Sequence, residues 1–261
     1  MQVTTEEIIY PCSDGQPMAD STIQYKLIVT IKEGCESLLK DDPNVFIAAD
    51  LLWYPVEGRT DISQAPDVMV VFGRPKGDRR SYLQFREDNI SPQVVFEIRS
   101  FSDSQIKMNK KFSFYNRYGV EEYYLYDPAQ NELTGWQRIE GMLEVIEPME
   151  GWISPRLRVR FELESEGLEI YRPDGQKFLS YSELDEQREL ERRRAEQEFQ
   201  RAEQEFQRAE GEFQRAEGEF QRAEEASQRA EEASQRAEQE AQKAERLAAK
   251  LRQLNIDPDS I

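Results

Sequence analysis

Pro66-Asp67-Val68-Met69-Val70-Val71 and Val94-Val95-Phe96-Glu97-Ile98-Arg99 each place one acid in a run that otherwise reads as a buried strand. Residues 68–72 are continuously apolar, as in a central strand covered on both faces. In the second stretch the alternation puts Val94, Phe96 and Ile98 on one face and Val95, Glu97 and Arg99 on the other. An unpartnered carboxylate in such a setting is costly, so something must compensate it. Asp67 taken alone reads as a turn residue behind a proline. Glu97 is harder to dismiss; its plain explanation is an ion pair with Arg99 or with a lysine of the following helix. A divalent cation shared by the two acids would compensate both, and oxygen donors suit a hard ion such as Mg2+.

Outward from these stretches, Ser21 and Gln24 have the spacing of a capping box opening an amphipathic helix over residues 22–39. Residues 44–53 read as a strand. Ser102 or Ser104 can cap a helix running to about Tyr118 and stopped by Gly119. Further strands are expected at 120–126, 133–138, 142–146 and 168–171. Helix, strands, helix, strand and then a meander describe an α/β or α+β domain with a mixed sheet.

The chain has 52 acids against 34 bases and no histidine. Lacking histidine, it has neither a Ser-His or Cys-His nucleophile system nor the usual zinc sites, so hydrolysis would run on carboxylates, lysine and metal. Cys12 and Cys35 fit no zinc spacing. No signal peptide or bilayer-spanning run is evident, so a cytoplasmic protein with no membrane association is expected. The net charge of −18 argues against general affinity for nucleic acid. Two local groups oppose it: Arg74, Lys76, Arg79, Arg80 and Arg86 in one loop region, and Arg99, Lys107, Lys110, Lys111 and Arg117 after Glu97. For the first group a solvated face is the simpler expectation.

From Ser182 the composition changes to a heptad array. Gln-Arg-Ala-Glu recurs from Gln200 to Gln235, with Phe199, Phe206, Phe213 and Phe220 at a, giving way to Ser227, Ser234 and Ala241. A continuous helix over 183–254 would be roughly 110 Å long. Positions e and g are almost all Glu, which sets like charges together in a parallel homodimer. Pairs of the Arg201–Glu205 type would support a single helix. A homo-oligomer, a partner-protein contact through 183–254, and a charged helix that does little all remain open. Leu247, Leu251 and Leu254 form a stronger apolar patch before Asn255-Ile256-Asp257-Pro258 closes the array.

Asp67-Val68-Met69-Val70-Val71, Glu97-Ile98, Lys111-Phe112-Ser113-Phe114-Tyr115 and Tyr118-Gly119-Val120-Glu121-Glu122-Tyr123-Tyr124 together resemble the PD-(D/E)XK nuclease superfamily. More closely they resemble its restriction-endonuclease-like Uma-two branch. The resemblance covers about residues 10–181. It implies a mixed sheet flanked by helices, followed here by a long C-terminal helix: a nuclease-like domain at 1–181, the helix at 182–255 and a tail at 256–261. It further implies an Mg2+- or Mn2+-dependent endonuclease hydrolysing DNA phosphodiesters. Asp67 and Glu97 would be metal ligands, the Ile98 carbonyl a third, and Lys111 the catalytic lysine. Asp50 and Glu33 are accessory candidates. Arg99 stands where the superfamily has its lysine, and Ser100-Phe101 where relatives often have Ser-Pro; both are departures beside the site. Arg99, Lys107, Lys110 and Arg117 would contact the DNA backbone. The competing classes are a catalytically inactive nuclease-fold module that assembles through the helix, and a structural adaptor in which the helix is the working part.

Overall fold

The alternation in the second acidic stretch is what builds the core. In the computed structural model, which describes residues 8–15 and 17–253, the chain runs α1 (Thr22–Leu38), β1 (Val45–Ala48), β2 (Trp53–Tyr54), β3 (Val68–Phe72), β4 (Tyr82–Leu83) and β5 (Val94–Ile98). It continues with α2 (Gln105–Arg117), β6 (Glu122–Asp127), β7 (Glu132–Ile139), β8 (Met142–Val145), β9 (Arg160–Glu164), β10 (Gly167–Tyr171) and α3 (Tyr181–Gln253). Val94, Phe96 and Ile98 pack with Ile28, Ile31 and Cys35 of α1, whereas Val95 packs with Tyr115 of α2. The two helices therefore cover opposite faces of one sheet.

That sheet has six strands in the order β1-β3-β5-β6-β7-β8. Only β5–β6 is parallel; β1–β3, β3–β5, β6–β7 and β7–β8 are antiparallel. The parallel step needs a crossover, which α2 provides. The mixed α/β architecture is thus as the sequence implies. Strands β9 and β10 pair antiparallel apart from this sheet, and β2 pairs with β4 in parallel over two positions.

Three local expectations change. The strand read over 44–53 breaks after Ala48, because Asp50 takes a left-handed backbone (φ 49°) that no ladder accommodates. Ser21 caps α1 by accepting the Gln24 backbone amide, but the Gln24 side-chain Oε1 accepts from Asp20 N instead of closing the box on Ser21 N. Arg99, one residue past the end of β5, pairs with Asp127 and not with Glu97, whose ion pair is with Lys111 of the helix. Ser104 is the cap of α2, with Gly119 in the left-handed position (φ 91°) that ends it.

The chain divides into two compact units, 1–187 and 188–261, within the first turns of α3. Leu254, the closing Asn255-Ile256-Asp257-Pro258 and the 256–261 tail lie outside the described residues. Among the described residues no helix is long and apolar enough to cross a membrane. Among the described residues no ion pair of the Arg201–Glu205 type is seen. Two ion pairs of the described residues within α3, Arg193–Glu189 and Arg229–Glu225, both have Glu four residues ahead of Arg.

Candidate active site

The β3–β5 register pairs Val68 with Phe96 and Met69 with Val95, so one step further brings Asp67 alongside Glu97. Both acids then point to the face covered by α2, as strand parity requires. Asp67 is buried and accepts the Ile98 amide at 2.6 Å. Glu97, 1 % exposed, accepts Lys111 Nζ on Oε2 at 2.5 Å and the Tyr115 hydroxyl on Oε1. Lys111 and Tyr115 reach it together because they lie four residues apart on one face of α2.

The charges of this group do not balance, since two carboxyls share one ammonium. Burial, and then the negative charge of Glu97 beside it, push the Asp67 carboxyl well above the usual range; Lys111 and the Ile98 amide oppose this only in part. Burial alone would lower the Lys111 ammonium, but Glu97 and Asp67 outweigh it and hold it protonated. The site accordingly favours taking up positive charge, as a proton or a cation.

Asp67 opens onto a cleft of about 140 Å3 lined by Asp14, Asp20, Asp50, Asp103, Lys107 and Lys111, with Ser100 and Ser102 in its wall. Asp50 comes to this cleft, its carboxyl raised by burial first and then by Asp14. Asp20 accepts from Ser100 Oγ at 2.8 Å and from Ser102 Oγ, which brace the loop after β5 and hold its carboxyl low. Asp103 accepts the Ser100 amide at 3.0 Å and pairs with Lys107 at 2.6 Å.

Other sequence candidates lie elsewhere. Glu33 is 62 % exposed on α1, paired with Lys32, and does not line the cleft. Arg99 pairs with Asp127 at 3.2 Å and faces a neighbouring hollow of about 470 Å3 together with Phe101. Lys110 and Arg117 are exposed on α2. The Ile98 carbonyl accepts Gln24 Nε2 at 2.9 Å, a partner supplied by α1. In the Arg74–Arg86 group, Arg74 and Arg79 both bind Glu87, and Lys76 binds Glu36, so much of that basic charge is neutralised.

Sequence reasoning missed Tyr115, Gln24, Asp20 and Asp103. Tyr115 was within reach, since it follows Lys111 by one helical turn. Gln24 was not, because 74 residues separate it from Ile98. Glu122 is another buried acid, 1 % exposed, but Ser154, Tyr124 and the Arg156 amide satisfy it fully. Among the described residues no group of three or more His, Cys, Asp or Glu stands in a metal-holding arrangement.

A mixed sheet with acids on adjoining strands, and a lysine delivered to them from the next helix, defines a domain of the restriction-endonuclease-like class. Residues 6–166 match the family described as "Putative restriction endonuclease", and the chain belongs to that family. The crystal structure of "a putative nuclease" from Anabaena variabilis is similar to it at 20 % identity and a TM-score of 0.42, over 55 % of this chain and 77 % of that one. No curated protein matches the sequence.

Proposed function

We propose that this nuclease-like domain is an Mg2+- or Mn2+-dependent DNA endonuclease that hydrolyses phosphodiester bonds at Asp67, Glu97 and Lys111. The observation that carries the reading is that Asp67 and Lys111 line one acidic cleft while Glu97, buried beside Asp67, bonds Lys111, so that two carboxyls share one ammonium. Membership of the restriction-endonuclease family supports DNA as the substrate class. Asp67, Glu97 and the Ile98 carbonyl are the residues that would hold the cation, and the donor set fits a hard ion that keeps several waters. A cation held there would supply a water of lowered pKa and would offset charge building on the phosphate.

The protein's own groups supply the rest. Lys111 turns its ammonium from Glu97 to the scissile phosphate and stabilises the charge that develops there. Tyr115 keeps Glu97 oriented through its hydroxyl. Arginine cannot serve as a base, so Arg99 acts by contacting phosphate. Lys107, Lys110 and Arg117 position the DNA backbone without reading sequence. In this reading 1–181 is the catalytic part and 182–255 an extension for assembly.

One observation favours the catalytically inactive alternative: both Glu97 oxygens and the Ile98 carbonyl are already engaged by protein groups. Incubation of supercoiled plasmid with full-length protein and Mg2+ or Mn2+ separates the two. Nicking that disappears in Asp67→Asn, with circular dichroism unchanged, supports the endonuclease. Cleavage at the wild-type rate in Asp67→Asn would remove that residue from the mechanism, and no cleavage in wild type would favour the inactive module.

A further inference from the structure

We propose that residues 199–224 of α3 dock a helix of a different protein, one that flanks its apolar seam with Lys or Arg on both sides. Phe199, Phe206, Phe213 and Phe220 recur at seven-residue spacing and are 70 %, 71 %, 71 % and 71 % exposed. Such a row of large apolar side chains on one helix face marks a contact surface. Ala202, Ala209, Ala216 and Ala223 alternate with them along the same stripe. Each alanine leaves room for a bulky side chain from the facing helix, which the neighbouring Phe rings would enclose.

Charge decides which helix fits. Glu203, Glu210, Glu217 and Glu224 line one flank of the stripe, and Glu205, Glu212 and Glu219 line the other. In a parallel pair g faces e of the partner; in an antiparallel pair e faces e and g faces g. A second copy of this chain therefore sets Glu against Glu in either orientation, which disfavours it. Among the described residues, two ion pairs seen within α3, Arg193–Glu189 and Arg229–Glu225, involve none of these acids. Gly211 and Gly218 lie on the far side, with a helix cost of ~1 kcal/mol each relative to Ala. From Phe199 to Phe220 the stripe is ~32 Å long, which calls for a partner helix of three to four heptads.

The test uses the full chain and two synthetic peptides, each about four heptads long with a Leu seam. One peptide has Lys at e and g, the other Glu. By analytical ultracentrifugation at neutral pH the chain is expected to stay monomeric. By fluorescence anisotropy it should bind the Lys-flanked peptide, more weakly as salt rises, and not the Glu-flanked one. The variant Phe206→Ser/Phe213→Ser should weaken that binding at least about tenfold. The array already holds Ser227 and Ser234 at the same heptad position, so these changes suit a folded helix. Self-association at neutral pH that the variant abolishes would overturn the proposal by making a second copy the occupant. Binding of the Lys-flanked peptide that the variant leaves unchanged would overturn it as charge attraction alone, and so would no binding at all.

Discussion

Lys111 and Glu97 illustrate what a single residue could and could not reveal. An acid inside Val94-Val95-Phe96-Glu97-Ile98 was conspicuous in sequence because its neighbours left it no water. Of its two partners, the helix lysine was foreseeable and Tyr115 was overlooked. Gln24 on the Ile98 carbonyl was hidden, because only the packing of α1 against the sheet makes that contact. The pairing also sets the cost of mutation. Truncating Lys111 leaves Glu97 buried with its charge uncompensated, so Lys111→Ala should lose roughly 3–5 kcal/mol in urea unfolding. Adding Glu97→Gln should recover a substantial part of that loss. Equal stability of the single and double variants would mean the ion pair is not what Lys111 contributes. Activity lost in Lys111→Ala must accordingly be judged against its folded fraction.

At the scale of elements, α1 holds a constraint that no periodicity predicts. Gly34 lies mid-helix, where Ala would normally be preferred, yet a Cβ there would stand 2.2 Å from the Phe178 ring. Gly34→Ala should therefore destabilise the domain by roughly 1–3 kcal/mol despite its better helix propensity, and Phe178→Leu should ease the clash. A stabilising Gly34→Ala would contradict that packing. The start of α3 is fixed by Glu183, whose carboxylate accepts the Ser180 amide at 2.8 Å and the Ser180 hydroxyl at 2.5 Å. Those bonds, helped by Lys177, hold its pKa down to about 2 from an ordinary 4.5. A lowered folded pKa means the capping contribution is complete above 4.5 and is lost as pH falls through about 2. NMR titration of the Glu183 carboxyl should show that low midpoint, and Ser180→Ala should raise it; a midpoint near 4.5 in the wild type would show that the cap does not form. Strand and helix identity was legible because β5 alternates, β3 is a short continuous apolar run, and α2 lies between a serine cap and a terminating glycine. The break at Asp50 and the β2–β4 pair were not, because left-handed backbone and two-residue ladders leave no periodic trace.

For the whole molecule, a net charge of −18 and a cleft of five aspartates and two lysines oppose a phosphate backbone until positive charge enters the site. Composition revealed the opposition, and the family resemblance revealed the fold. How much of the Arg74–Arg86 basic charge is spent on Glu87 and Glu36 emerged only once the loops were placed. In the proposed mechanism, cation uptake at Asp67 and Glu97 therefore precedes or accompanies DNA binding. The most direct measurement is calorimetric titration of Mg2+ into the full chain, with and without a DNA oligonucleotide, alongside Asp67→Asn and Glu97→Gln. Saturable binding to the wild type, strengthened by DNA and lost in both variants, is the expected result. Equal binding heats in the wild type and both folded variants, or none in the wild type even with DNA, would contradict it.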